Sequence, residues 1–167
     1  MTWKHVDRLA DVAVIVGVTI LAVTTLWSGK PVDVPQPGYT LPAINGVRFG
    51  EAERTLLLFI STRCRPCNDS VPFYRVLIKA ANRAATTTQV VLMSREPPDR
   101  VRHYAEQNQL VPHSVVSIAG DTLKELRGTP TVLLVRNTGT VEKVWVGRLR
   151  PGEQIDLLRT IGVSPSP

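Results

Sequence analysis

Two kinds of apolar run alternate with polar stretches along this chain. One is long: Val12–Trp27 (VAVIVGVTILAVTTLW) holds sixteen residues with no charge, and nothing in it is amphipathic. The others are short runs of strand length bounded by turn residues: Thr55–Ile60, Gln89–Met93, Ser114–Ile118, Thr131–Arg136 and Val141–Val146. Between the first two of these the pattern predicts a helix from about Cys64 to Ala85, kinked where Pro72 removes a hydrogen bond. Pro98-Asp99 opens a polar helix toward Gln109. Gly120 marks a turn before a short helix over Asp121–Arg127, and Pro151 starts a last helix that Gly162 stops. Asn45-Gly46, flanked by short apolar stretches, predicts a hairpin ahead of the first strand, and Asn137-Thr138-Gly139 predicts another joining the last two strands. No internal repeat is visible.

This pattern divides the chain into an N-terminal membrane segment (1–27), a tether (28–38), one α/β domain (39–162) and a short flexible tail (163–167). Sixteen apolar residues are marginal against the roughly 20 that span a bilayer, so an uncleaved anchor competes with a signal peptide. Small residues at cleavage spacing are scarce, Ala22 and Thr24 being the best pair. Trp3 and Trp27 lie about 36 Å apart along a helix, a separation that seats both at membrane interfaces. An anchor is therefore expected. Lys4, Arg8 and the terminal amine precede the segment and Lys30 alone follows closely, so the amino end is expected inside and the domain outside the cytoplasmic membrane, in the periplasm or its equivalent. Ser28–Gly38, with three prolines and two glycines, reads as an extended tether.

Composition narrows the function classes. At 167 residues and 43% hydrophobic content, the chain holds one core of ordinary size. The net charge of +6 is spread through helices and turns and is not interleaved with aromatics, which are only 5% of residues; this excludes a nucleic-acid reading.

The chemistry concentrates in TLLLFISTRCRPCNDSVP, residues 55–72, where a strand stops at Ser61-Thr62 and the only two cysteines follow as C-x-x-C in the first turn of a helix. Unpaired N–H groups at a helix start, with Arg63 and Arg65 on either side, favour the thiolate of Cys64. A disulfide closing so short a loop contributes little stability, so reactivity explains the pair better. No metal is expected: His5, His103 and His113 are scattered and no second C-x-x-C completes a zinc set. Ser61, three residues before Cys64, leaves a peroxidatic cysteine open as an alternative. A dithiol in a strand–helix–strand context is the main reading.

With the C-x-x-C at the first helix, Pro72 five residues beyond the second cysteine and Thr129-Pro130 ahead of a core strand, the domain resembles the thioredoxin superfamily. LPAINGVRF, the insertion before RGTPTVLLV and the membrane segment look like the TlpA/ResA type of membrane-anchored thiol–disulfide oxidoreductases. The resemblance covers roughly Tyr39–Gly162. It implies a mixed sheet flanked by helices, with an N-terminal hairpin, a central strand–helix insertion and an N-terminal transmembrane helix.

The resemblance also implies roles. Cys64 is the exposed nucleophile, Cys67 the buried resolving thiol and Pro130 a cis-proline facing the pair, with the Thr129 backbone able to bind an extended substrate. No cofactor is implied. Partners are protein thiols and disulfides outside the cytoplasm, including cytochrome apoproteins or copper-centre assembly proteins, with an upstream membrane electron donor. The chain departs from the pattern in three places: Arg63 replaces the aromatic residue before the first cysteine, Leu58 a buried aspartate, and Ser70 a glutamate. The usual proton acceptor for Cys67 is thus missing, leaving Asp69 or Glu96 as substitutes, though each reads first as solvated surface. These departures keep open a binding or chaperone module that holds a protein or copper ion without turnover.

Overall fold

Leu56, Leu57 and Leu58 are all fully buried, which a strand achieves only at the centre of a sheet covered on both faces. They form β1 (Arg54–Phe59). The computed structural model describes residues 34–83, 87–120 and 122–163. The run Val12–Trp27, most of the tether and residues 164–167 lie outside them; among the described residues no helix is long and apolar enough to cross a membrane.

β1 pairs in parallel with β2 (Thr88–Ser94), and β2 in parallel with β3 (Ser114–Ser117). On its other side β1 pairs antiparallel with β4 (Thr131–Arg136), which forms a hairpin with β5 (Val141–Val146). The mixed sheet runs β3-β2-β1-β4-β5. Gly139, at φ 82°, closes the β4–β5 turn as Asn137-Thr138-Gly139 predicts.

Alternate residues of β1 feed two cores. Leu56 and Leu58 join the cluster built with the helices α1 (Arg65–Asp69), α2 (Val71–Arg83), α3 (Pro98–Gln107) and α4 (Pro151–Thr160). Leu57 and Phe59 join the other, which is closed by Val34, Leu41, Ile44 and Val47 and by Leu123 and Leu126. The predicted kink at Pro72 is a full break: α1 ends at Asp69 and α2 restarts at Val71, because Pro72 has no N–H to continue the ladder.

Two expected elements are absent. Asn45-Gly46 does make a turn, with the Val47 N–H donating to the Ile44 carbonyl at 3.0 Å, but its arms do not pair into a hairpin. Leu41, Ile44 and Val47 all face the core, a spacing of three that no strand with a period of two can present on one face. Instead residues 38–41 join the β4–β5 end: Gly38 and Leu41 donate to the Val141 and Gly139 carbonyls at 2.8 and 2.9 Å, and the Val141 N–H donates to Tyr39.

The strand of the central insertion is β3, but its predicted helix over Asp121–Arg127 does not form in the described residues 122–127, of which 122–125 make turns; Asp121 lies outside them. Leu123, at φ 53°, interrupts helical geometry. The loop's carbonyls converge on the Arg95 guanidinium: Ala119 accepts from it at 3.1, Gly120 at 2.8, Leu123 at 2.8 and Leu126 at 3.4 Å. Arg95 also lies 5.7 Å above the Phe59 ring. Arg95→Ala should therefore loosen this loop selectively. Amide hydrogen exchange of residues 119–126 is expected to rise by about 10-fold or more while β1 and β4 stay protected; an unchanged loop would show that the guanidinium does not hold it.

Candidate redox site

The sheet register builds this site. Phe59, the last residue of β1, pairs with Thr131, the first of β4, so the segment after β1 and the segment before β4 lie side by side. The first carries Ser61-Thr62-Arg63-Cys64 and the second Gly128-Thr129-Pro130. The Thr129–Pro130 peptide is cis. The Cys64 Sγ donates to the Thr129 carbonyl at 3.3 Å, joining the two segments.

Cys64 is the N-cap of α1, in extended backbone geometry, and its sulfur accepts from the Cys67 N–H at 3.3 Å. Pro66 falls in the first turn, where its missing N–H has no partner to lose. Cys64 is partly exposed and Cys67 fully buried, and neither is in a disulfide. The apolar helix-side core encloses Cys67. Burial, and then the neighbouring Cys64 sulfur, push its thiol up to about 12, so it stays protonated through the neutral range.

No carboxylate takes over at the departures noted in the sequence. Leu58 is fully buried and apolar, and Ser70, also buried, spends its hydroxyl on the Pro66 carbonyl at 2.7 Å. Asp69 is exposed and sits 3.7 Å from Arg148. The buried hydroxyls of Tyr74 and Tyr104 have no protein hydrogen-bond partner among the described residues, and burial raises the pKa of both, Tyr104 to about 12. Arg63 and Arg65 are exposed, and their side chains make no ion pair or hydrogen bond among the described residues.

Glu96 is not the solvated residue it resembles in the sequence. Its side chain is only 11% exposed. One carboxylate oxygen accepts from the Ser61 hydroxyl at 2.7 Å and the Thr62 N–H at 2.8 Å; the other accepts from the Thr62 hydroxyl and lies 3.9 Å from Arg100. Glu96 thus ties down the segment that delivers Cys64. Only the adjacency of Ser61-Thr62 to the cysteines hinted at this, since their partner lies 34 residues away.

No family model matches the chain, and comparison with curated proteins finds no match. Solved structures do match. A proposed thiol:disulfide interchange protein DsbE from Chlorobium tepidum superposes with a TM-score of 0.57 at 23% identity, over 78% of this chain and 96% of that one. StoA from Bacillus subtilis gives 0.53 at 20%, over 75% and 98%. The thioredoxin domain of a thiol-disulfide oxidoreductase from Bacteroides vulgatus gives 0.59 at 18%, over 75% and 96%. The chain has a thioredoxin fold. Within this thioredoxin-like domain, the C-x-x-C and the cis-proline segment meet at the carboxyl end of β1.

The Glu96 carboxylate makes a pH prediction. Burial acts to raise its pKa, but hydrogen bonds from Thr62 and Ser61 and the charge of Arg100 outweigh it, leaving the value below the ordinary 4.5. With the folded value depressed, the unfolded chain binds the proton first as pH falls. The stabilisation is therefore full above about 4.5 and lost as pH drops through the folded value. Glu96→Gln should cost about 1–2 kcal/mol at pH 7 and progressively less below pH ~4.5. Urea unfolding of both proteins at pH 7 and pH 3 checks this; a constant difference would separate the effect from the charge.

Proposed function

We propose that the chain is an extracytoplasmic thiol–disulfide oxidoreductase, anchored by Val12–Trp27 and reducing disulfides in proteins of the cell envelope. The observation that carries this reading is the pair itself: a partly exposed Cys64 hydrogen-bonded to the residue before a cis-proline, with a buried Cys67 one turn on. The names of the similar structures, thiol:disulfide interchange protein and thiol-disulfide oxidoreductase, support it.

In the proposed cycle the Cys64 thiolate attacks one sulfur of a substrate disulfide. A Cys64–substrate bond forms, the substrate S–S bond breaks, and the departing thiolate takes a proton from water. Cys67 then gives its proton to water and attacks the Cys64 sulfur, forming the Cys64–Cys67 disulfide and expelling the second substrate thiolate, which is protonated in turn. Two electrons pass from the protein's dithiol to the substrate. An upstream dithiol donor in the membrane restores the pair. The Thr129 carbonyl, beside Pro130, lines the path of an extended substrate segment, and Arg63 and Arg65 place positive charge beside the attacking sulfur. The substrates fitting this role are cytochrome apoproteins or copper-centre assembly proteins.

The high pKa of Cys67, with no carboxylate at positions 58 or 70, favours a second reading: a thioredoxin-like module that binds a protein or copper ion without turnover. A trapping experiment separates the two. Cys67→Ser should retain the nucleophile, lose the resolving thiol and accumulate mixed disulfides on non-reducing gels, while Cys64→Ser captures almost nothing. Equal trapping by both variants would reverse the assigned roles, and trapping by neither would favour the binding module.

Topology has its own test. A phosphatase that works only outside the cytoplasm, fused after Pro167, is expected to be active. Activity of a cytoplasmic reporter there would contradict the orientation, and a mature amino terminus near residues 25–30 would replace the anchor by a signal peptide.

A further inference from the structure

The solvent face of α2 is basic and has no acid of its own to answer it. Arg75, Lys79 and Arg83 recur every fourth residue, a row about 12 Å long, and the helix VPFYRVLIKAANR contains no Asp or Glu. The neighbouring helices carry acids: Asp99 of α3 meets Arg102 at 2.6 Å, and Asp156 of α4 meets Lys143. The row forms one side of a groove of about 490 Å³ whose other side is Gln109 and Val111. Arg75 donates its Nε to the Asn108 carbonyl at 2.6 Å, and Asn82 its Nδ2 to the Val111 carbonyl at 3.1 Å. The two sides are thus held together through neutral carbonyls, which leave the guanidinium charge in place. Lys79 and Arg83 make no ion pair among the described residues.

No acidic residue lines the groove. Glu51 is held by Arg48 at 3.0 Å and lies 3.9 Å from His113, and Glu142 is shared by Arg54 at 3.1 Å and Arg136 at 2.7 Å. Glu53 and Glu106 are exposed but do not line it. Ala84-Ala85-Thr86, which follow Arg83 outside the described residues, carry no charge, and Lys30 and Asp33 of the tether carry opposite ones. Two apolar side chains stand out of this basic surface: Val111, 70% exposed, and Val76, 54%, the most exposed large hydrophobic residues described. Cations beside exposed aliphatic groups suit a bilayer interface, where the charges meet anionic headgroups and the aliphatic groups enter the boundary beneath them. Single-stranded nucleic acid would need aromatic faces for stacking, and no aromatic residue lines the groove.

We infer that this face of the domain docks on anionic lipid headgroups, with Arg75, Lys79 and Arg83 binding the phosphates and Val111 entering the interface. The inference rests on the anchored reading above for bringing the domain to a lipid surface, and not on the redox cycle. On that reading Ser28–Gly38 reaches at most about 40 Å when extended, so the tethered domain meets the surface at high effective concentration and weak contacts suffice. No residue lines both this groove and the cleft that Arg63 and Thr129 line beside the cysteines, so docking leaves the thiol site accessible.

The full chain would be reconstituted with vesicles of phosphatidylcholine, alone or with about 30% phosphatidylglycerol, and lysine acetylation read residue by residue by mass spectrometry. Lys79 is expected to react about 5-fold more slowly on the anionic vesicles, the difference falling below about 2-fold near 0.5 M salt, while Lys143, paired with Asp156, does not change. In Arg83→Gln/Val111→Ser, both exposed positions, the protection of Lys79 should shrink below about 2-fold. Equal Lys79 reactivity on the two vesicles, or protection that survives the double variant, would overturn the inference.

Flotation of the same samples separates the docking face from the anchor. A chain that floats with both vesicles and stays there in high salt, with Lys79 unprotected, keeps the anchor and loses the face. A chain that floats only with the anionic vesicles and is released by salt, with the double variant not floating, sinks the anchor and sustains the face. Protection of Lys79 by poly-glutamate or by glycerol phosphate in solution, with none on anionic vesicles, would overturn the inference in favour of an acidic protein or a soluble phosphate.

Discussion

Pairing of Phe59 with Thr131 is the constraint on which the site depends. Because β1 and β4 run in opposite directions, the chain leaving β1 and the chain entering β4 emerge at the same end of the sheet. The loop with the cysteines and the loop with the cis-proline become neighbours without any contact having to draw them together. Leu57 and Leu133, opposite each other two residues further in, are both fully buried. A one-residue slip would turn every side chain of the strand to the wrong face, so the register is held by both cores at once. The 3.3 Å contact from Cys64 to Thr129 follows from that register.

Two consecutive residues after β2 stabilise the surroundings in opposite directions. Arg95 reaches the 119–126 loop and Glu96 reaches Ser61-Thr62. The chain bends at these two residues and their side chains part, so one strand end serves both loops. Each side chain satisfies backbone groups that regular structure would otherwise satisfy, a role in which charged groups outperform neutral ones. The site thus rests on the end of β2 as well as on the strands that flank it.

Much of this was legible in the sequence. Five short apolar runs became five strands, the C-x-x-C fell at a helix start, Pro72 broke the helix, and Asn137-Thr138-Gly139 closed a hairpin. These are local signals, set by periodicity and by what proline and glycine do to a backbone. The two failures have a common cause. The stretch around Asn45-Gly46 and residues 122–127 carry plausible local patterns, but residues 38–41, ahead of the turn, pair with the β4–β5 end, and the Leu123 and Leu126 carbonyls accept from Arg95. The same reason hid Glu96: a carboxylate in a polar stretch looks solvated until its hydroxyl partners, 34 and 35 positions away, are brought to it.

The turns at 122–125 add one property to the domain. A helix would restrict that stretch to residues of good helical propensity with one apolar face, whereas a loop held by a guanidinium asks only for carbonyls, which every residue has. Beyond Leu123 and Leu126, which fill the core, Lys124, Glu125 and Arg127 are exposed and free of any periodic requirement. That loop is in that sense an interchangeable surface on a fixed frame: its exposed side chains can change while the carbonyls that Arg95 binds stay where they are.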